Sequence, residues 1–470
     1  MLCEEEIVSR FLATRLNVSP EVVAYIREQD DPSLIDRIIA AAPEGTVVVS
    51  ADAIPAVKKV RDGTRFLPDP AYEVLKGKEN SAESIRDFEE YVSYFRHRYT
   101  KLSSFMRGRV QPVPIEALAR TGRYREEEAS FVGMISEVRS TAKGNKIVMM
   151  EDTTGTIRVL FNKSRDGFAE AEKILPDEVI GVKGKLSSDG NIFFADTLIR
   201  PDIPLTNAPF MSESPGKAVL ISDVHVGSDT FLEEEWHRFA DWIAGREDVS
   251  YLLVAGDLVD GIGIYPGQDK ELVIKNIYGQ YARLGEMLSA IPSRIRIILA
   301  PGNHDVVRGA EPQPAIPPKF REDYPENCEF VENPALVSLQ GVRILMYHGR
   351  SFDDMIGMIP GASYRHPEEI MEEMLKRRHL APTYGMRTPI APAKEDVLII
   401  DPVPEVLFTG HVHICGIKRY RGVLMINAGT WQSQTAFQKQ MNVEPTPARA
   451  VVLDLATLEY EMVDFLKNQA

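Results

Sequence analysis

A multidomain chain is predicted: a small α-helical N-terminal domain, an all-β barrel and an α/β layered sandwich, in series. Three observations predict it. Apolar residues recur at helical spacing over the first sixty positions; from about 110 to 204 the pattern changes to short alternating strands; beyond 215, strand-like apolar runs alternate with amphipathic helices. With 470 residues, 44% of them hydrophobic, the chain is long enough for about three globular domains.

Residues 1–60 read as the helical domain. Ile7, Val8, Phe11, Leu12 and Leu16 share one helical face, Val22, Val23 and Ile26 a second, and Leu34, Ile35, Ile38 and Ile39 a third. Ser19-Pro20 and Asp31-Pro32 each place an N-cap before a proline that fits the first helical turn. No catalytic residue falls here, so docking module and plain scaffold both remain open.

Residues 61–109 are expected to hold a linker and one helix. The stretch 60–83 is punctuated by Asp62-Gly63, Pro68, Pro70 and Gly77, and Ile85, Phe88, Val92, Phe95 and Tyr99 then mark a helical face. Residues 110–204 fit five strands, at 131–135, 146–150, 156–161, 179–184 and 192–195, separated by Gly144-Asn145, Gly155 and Asp189-Gly190. That count and spacing predict an OB-fold barrel, which can hold single strands or protein. Its aromatics, Phe161, Phe193 and Phe194, suit a core as well as a stacking platform.

The last domain, 215–470, carries the chemistry. Five apolar runs, 218–221, 251–255, 295–299, 342–346 and 406–408, each lead into a polar cluster: Asp223-Val224-His225, Gly256-Asp257-Leu258-Val259-Asp260, Gly302-Asn303-His304-Asp305, Tyr347-His348-Gly349 and Gly410-His411-Val412-His413. Ligands placed this way emerge together on loops at one edge of a sheet. Carboxylate and imidazole donors without cysteine suit manganese first, with iron, zinc or magnesium as alternatives. Two divalent ions about 3.5–4 Å apart need a bridging carboxylate, and Asp257 is the candidate. Asp223, His225 and His413 then complete one ion; Asn303, His348 and His411 complete the other. His304 is placed to give a proton to a leaving oxygen, and Asp260 and Asp305 to orient ligands. A lone Asp-x-His is usually a turn, but five such segments in order read together as a two-metal phosphoesterase site. The remaining histidines, His97, His237, His366 and His379, are expected on surfaces.

The order of these segments resembles the calcineurin-like metallophosphoesterase superfamily, which includes the double-strand-break repair nucleases. The segments 256–268 (GDLVDGIGIYPGQ), 347–354 (YHGRSFDD) and 376–385 (KRRHLAPTYG) resemble the small subunits of archaeal family D DNA polymerase. That resemblance implies a 3′-to-5′ proofreading exonuclease acting on DNA 3′ ends, a large catalytic subunit as partner, and contact of the N-terminal domain with other replication proteins. Phosphoprotein phosphatases are less similar: they carry Arg and Glu where this chain has Gly261 and Asp305. Two other classes stay open, a non-catalytic architectural subunit and a phosphodiesterase or phosphatase of small molecules.

Three cysteines, Cys3, Cys328 and Cys415, are too few and too scattered for a disulfide framework or a zinc knot. With an acidic start and no apolar stretch of about eighteen residues, the expectation is a cytoplasmic protein without a membrane span. A formal net charge of −15 is unusual for a DNA partner, so any DNA contact must come from local basic clusters. Arg96, Arg98, Lys101, Arg107 and Arg109 form one; Lys376, Arg377 and Arg378 form the other.

Overall fold

The structure, a computed structural model, describes residues 4–14, 16–29, 35, 38–39, 46, 48–49, 71–78, 88–120, 122–391, 393–440 and 442–466. The chain divides into two compact units, Met1–Pro70 and Ala71–Ala470.

In the first unit, helices Glu4–Ala13 and Pro20–Gln29 bury Ile7 and Phe11 against Val22, Val23 and Ile26. Pro20 opens its helix, where its fixed φ and missing N–H cost nothing. Ile35 and Ile38 join this cluster; most of the third expected helix and the Asp31-Pro32 cap lie outside the described residues. A two-residue parallel pairing of β1 (Asn17–Val18) with β2 (Val48–Val49) was not expected, being too short to leave a period in the sequence.

The second unit begins with a departure. Tyr72–Lys76, expected within a linker, is strand β3 at the edge of a six-stranded sheet. Five residues bounded by proline and glycine read as loop, and only the tertiary partner reveals the alternation that half-buries Tyr72 and Val74. Helix Phe88–Phe105 follows, rotated from the expected face: Tyr94, Arg98 and Leu102 are buried, whereas Phe88 is exposed. The rotation brings Arg98 to Asp396 (2.6 Å) and to the carbonyl of Pro382. Arg98 is therefore internal, and His379, at 2.8 Å from Asp396, is buried with it rather than on the surface.

All five barrel strands form: β4 (Ala129–Ser140), β5 (Lys146–Glu151), β6 (Thr156–Phe161), β7 (Val179–Leu186) and β8 (Ile192–Ile199). They close in the order β4-β5-β6-β8-β7, with β6 and β8 parallel and the other pairs antiparallel. Phe131 and Phe193 meet edge to face inside (4.9 Å), and Phe161 is buried; Phe194 alone of the three candidate aromatics faces outward.

Eleven further strands, together with β3, build two six-stranded sheets: β9 (Lys217–Ile221), β10 (Val249–Ala255), β11 (Arg296–Ala300), β12 (Cys328–Phe330), β13 (Ala335–Leu339), β14 (Val342–Tyr347), β15 (Val406–Thr409), β16 (Gly416–Tyr420), β17 (Val423–Asn427), β18 (Arg449–Asp454) and β19 (Tyr460–Asp464). Their orders are β12-β11-β10-β9-β18-β19 and β16-β17-β15-β14-β13-β3. Successive residues of β9 serve two cores. Ala218 and Leu220 meet Val337, Ile344 and Phe408 of the other sheet, while Val219 and Ile221 meet Trp236 and Phe239 of helix Glu233–Ala244. Strands covered on both faces become continuous apolar runs, and that is why these runs were legible. Helix Pro367–Arg377 covers the outer face of the second sheet through Met371 and Met374.

Within the second basic cluster, Arg377 joins barrel to sandwich. Arg377 is 2% exposed and binds Glu178, beside β7, and Glu373, each at 2.5 Å. Arg378 is buried, its Nε donating to the Ile400 carbonyl (2.8 Å), and Lys376 pairs with Glu372 (2.9 Å). Arg377 and Arg378 are corrected from DNA contacts to internal braces, since a buried guanidinium has no face left for a phosphate, whereas Lys376 is only half-buried. Arg377→Ala should take the closest cation from Glu178 and Glu373, leaving Arg200 3.6 Å from the one and Lys173 and Lys376 3.1 Å from the other, a loss of about 1.5–3 kcal/mol. Urea denaturation measures it, and an unchanged midpoint would return Arg377 to the surface.

Candidate metal centre

Strands β9, β10 and β11 run parallel in one sheet, and β14 and β15 parallel in the other, so their C-terminal ends open on the same edge of the sandwich. The chain turns sharply as it leaves them. Asp223, His225, Asp257, His411 and His413 all have φ between 48° and 72°, a left-handed conformation that costs side-chain-bearing residues about 1–3 kcal/mol each. Cross-loop bonds hold these turns, with Asp223 N donating to Gly256 O and His225 N to Asp257 O, both at 3.0 Å. Gly302 is required by closeness: a Cβ there would lie 2.2 Å from Asp257 Oδ1.

The seven expected ligands come together. His413 Nε2 lies 3.3 Å from Asp223 Oδ1 and 3.1 Å from His225 Nε2. Asp257 Oδ2 lies 3.6 Å from His225 Nε2 and 3.4 Å from His348 Nε2, so it stands between two groups. Asn303 Oδ1 is 3.1 Å from His348 Nε2, and His411 gathers with Asp257 and His348. Asp223 Oδ1 is buried without a hydrogen-bond donor, and two imidazole Nε2 atoms face each other beside it. A cation resolves both features, since it takes the orphaned oxygen and both lone pairs. These buried His/Asp groups can bind metal.

Electrostatics agree at Asp257 and His225. Burial would raise the Asp257 carboxylate, but His348, His304 and His225 outweigh it and hold it well below its usual range. Burial lowers the His225 imidazole, favouring the neutral form that a cation needs. Burial also opposes charge on His348, yet Asp257 and Asp223 prevail and lift it to about 10.

Each ring is aimed by its second nitrogen. His225 Nδ1 meets Asp260 Oδ1 at 3.1 Å, and Asp260 in turn accepts from Gln268 (2.9 Å) and Gln432 (3.2 Å). His348 Nδ1 meets the Ala255 carbonyl at 2.9 Å. His304 Nδ1 meets the Asp260 carbonyl at 2.8 Å, and its backbone N–H donates to Asp257 Oδ1. Asp305 touches no imidazole: it accepts from Leu258 N, Gly302 N and the Tyr281 hydroxyl, tying the loops after β10 and β11 together. Burial, then the charge of Asp257, pushes Asp305 up to about 6.

Several contributors went unread in the sequence. Gln438 Nε2 sits 2.7 Å from His413 Nδ1, and Asp353 Oδ2 sits 3.4 Å from His411 Nε2. Gln432 follows the end of β17, so the strand-end signal used for the ligands could have found it; Gln438 and Asp353 lie on helices without such a marker. The cavity over the cluster has a volume of about 390 Å³ and is walled by Asp353, Tyr364 and Arg387 from the insertion after β14.

The stretch 308–329, which leaves the same sheet edge after β11, contributes no residue to this cavity. It carries Glu311, wholly buried, to the hydroxyl of Tyr347 (2.9 Å) behind His348. Burial pushes Glu311 up to about 7, against an ordinary value near 4.5. A raised carboxyl favours folding below its unfolded value, and that contribution is lost as pH climbs through 7. Stability should fall by up to about 3 kcal/mol between pH 5 and 8, and Glu311→Gln should flatten the decline. Melting temperatures across that range test this, and an equal slope in both proteins would refute it.

Comparison with known proteins gives a consistent picture. A family model for the B subunits of DNA polymerase alpha/epsilon matches residues 218–414, and one described as an OB-fold nucleic acid binding domain matches 129–194. The DNA polymerase II small subunit of Archaeoglobus fulgidus is 40% identical, covering 95% of both chains. That of Methanothermobacter thermautotrophicus is 41% identical over 97% of this chain and 98% of its own. A solved archaeal phosphodiesterase aligns at 13% identity over 53% of this chain and 98% of its own, with a TM-score of 0.28, too low to carry an argument.

Proposed function

The chain belongs to the family of archaeal DNA polymerase II (family D) small subunits, and from that premise we propose that it is the 3′-to-5′ proofreading exonuclease of a two-subunit replicative polymerase. The observation that carries this reading is the pair of ligand groups sharing Asp257 at the floor of one cavity. Relatives named as DNA polymerase small subunits support a larger subunit as partner; DNA 3′ ends as substrate and the cytoplasm as the place of action belong to the same proposal. Among the described residues no helix is long and apolar enough to cross a membrane. The N-terminal unit is assigned to docking with another replication protein.

Asp223, His225, His413 and Asp257 would hold one divalent ion, and Asp257, Asn303, His348 and His411 the second, with manganese the first choice. Bound there, the ions would supply a nucleophile at neutral pH and stabilise charge on the phosphate oxygens. The chain's own residues do the rest. Asp260 and the Ala255 carbonyl fix His225 and His348 so that only Nε2 faces inward. Asp305 and Tyr281 keep the loop carrying Asn303 and His304 against that of Asp257. His304, anchored through Nδ1, keeps Nε2 for the departing 3′ oxygen, where it delivers a proton.

The experiment is a time course with manganese on a 5′-labelled primer bearing a mispaired 3′ end, beside His348→Ala. Stepwise shortening from the 3′ end that vanishes in the variant is expected. No shortening by the metal-loaded protein, alone or with its large subunit, would favour an architectural subunit; hydrolysis confined to nitrophenyl phosphate esters would favour a small-molecule enzyme.

A further inference from the structure

Two features of the cavity wall are used by nothing described so far. Arg387 is exposed, and it is the one lysine or arginine among the described residues lining the cavity. Its backbone N–H donates to Asp354 (2.8 Å), but its guanidinium makes no hydrogen bond or ion pair among the described residues. The nearby Asp353 is already held by Tyr364 (2.7 Å) and His411. A guanidinium that acts on Asp353 through its charge but makes no direct ion pair, beside an acidic floor in a chain of net charge −15, is the local attraction that a polyanion would need there.

The second feature is the loop after β10. Its backbone is pinned from inside: Gly261 N donates to Gln280 (2.9 Å) and Ile264 N to Gln268 (3.0 Å), both glutamines buried. Yet this braced loop holds Ile262, Ile264 and Tyr265 out to solvent. Tyr265 lines the cavity, its ring centroid 6.5 Å from that of His304 and its hydroxyl tied to Glu271 (2.9 Å). A rigid aromatic surface beside a reactive cluster suits stacking, because its ordering cost is met in folding.

We propose that Arg387 and Tyr265 form a single-strand clamp, the guanidinium taking a backbone phosphate and the ring stacking on an unpaired base. The inference rests on the exonuclease reading for its substrate, single-stranded DNA with a free 3′ end. A volume of about 390 Å³ lies at the small end of the range of about 300–1,000 Å³ for pockets that take one small molecule. One unpaired nucleotide fits that scale; a base pair with both its strands does not. Selection of frayed ends over paired ones then rests on the stacking partner, since only an unpaired base can turn its face to Tyr265.

Binding separates this inference from catalysis. The full chain is titrated against a 5′-fluorescent oligothymidylate with calcium in place of manganese, and anisotropy is followed over a range of salt. Arg387→Ala should shallow the slope of log affinity against log salt by about 0.7, the share of one phosphate on a single strand, and Arg387→Lys should restore most of it. Tyr265→Ala should weaken binding about tenfold at unchanged slope, while Tyr265→Phe keeps the affinity. Both alanine variants should melt as the parent does, since both side chains meet solvent. Parental slope and affinity in the two variants, no binding by the parent, or equal binding of a blunt duplex would each overturn the clamp. If the shifts appear but the parent leaves a mispaired primer intact with manganese, the clamp stands and the exonuclease reading falls.

Discussion

Asp257→Ala is expected to abolish hydrolysis, by at least about a thousandfold, and to empty the metal centre with it. No other residue stands in both ligand groups by way of one carboxylate that faces His225 on one side and His348 on the other. Its loss would remove the negative charge that two neighbouring cations would share, and would leave His348 without the partner that most raises its pKa. Asp257 Oδ1 also accepts from His304 N, so the isosteric Asp257→Asn separates the two roles: it keeps an oxygen for that bond but not the charge. Metal analysis alongside the primer assay decides. Full occupancy by two ions in the alanine variant would mean that the shared-ligand assignment is wrong.

His304→Ala should act differently, lowering turnover on DNA by about 10²–10⁴-fold while both ions stay bound. The side chain is anchored by the Asp260 carbonyl rather than by a carboxylate, and it lines the cavity. One structural fact offers a competing role: a ring nitrogen of His304 gathers with His225 and Asp257 closely enough to hold a cation itself. Leaving-group chemistry distinguishes the two. Nitrophenolate departs without a proton, so a proton donor should matter far less for a nitrophenyl phosphodiester than for DNA. Equal losses on both substrates, together with lost metal, would make His304 a ligand.

Much of the site was legible because its residues obey a local rule: a fully buried strand is a continuous apolar run, and a functional loop at its C-terminal end begins where the run stops. Asp223, Asp257, Asn303, His348 and His411 are all found by that rule, and the structure brings them together. Gln438 and Asp353 follow no such rule, since each reaches the cluster from a helix in a long connection. The barrel was legible for a related reason, its strands being marked by turn residues at Gly144, Gly155 and Gly190. Strand β3 was not, because a short half-buried edge strand differs from a loop only through its partner, β13.

By itself, then, the sequence determined the barrel, the buried strands that lead into the site and the identity of the residues gathered at the sheet edge, since all of these follow from periodicities of two to four residues and from side-chain chemistry. Only the tertiary structure decided where the charges went. Arg377 and Arg378 look in sequence like the most basic surface of the chain, and they are buried against Glu178 and Ile400, whereas Arg387, unremarkable in sequence, is left unpaired on the cavity wall. The physical reason is that a guanidinium's role depends on whether a carboxylate some two hundred residues away reaches it first, as Glu178 reaches Arg377, and no local pattern records that distance.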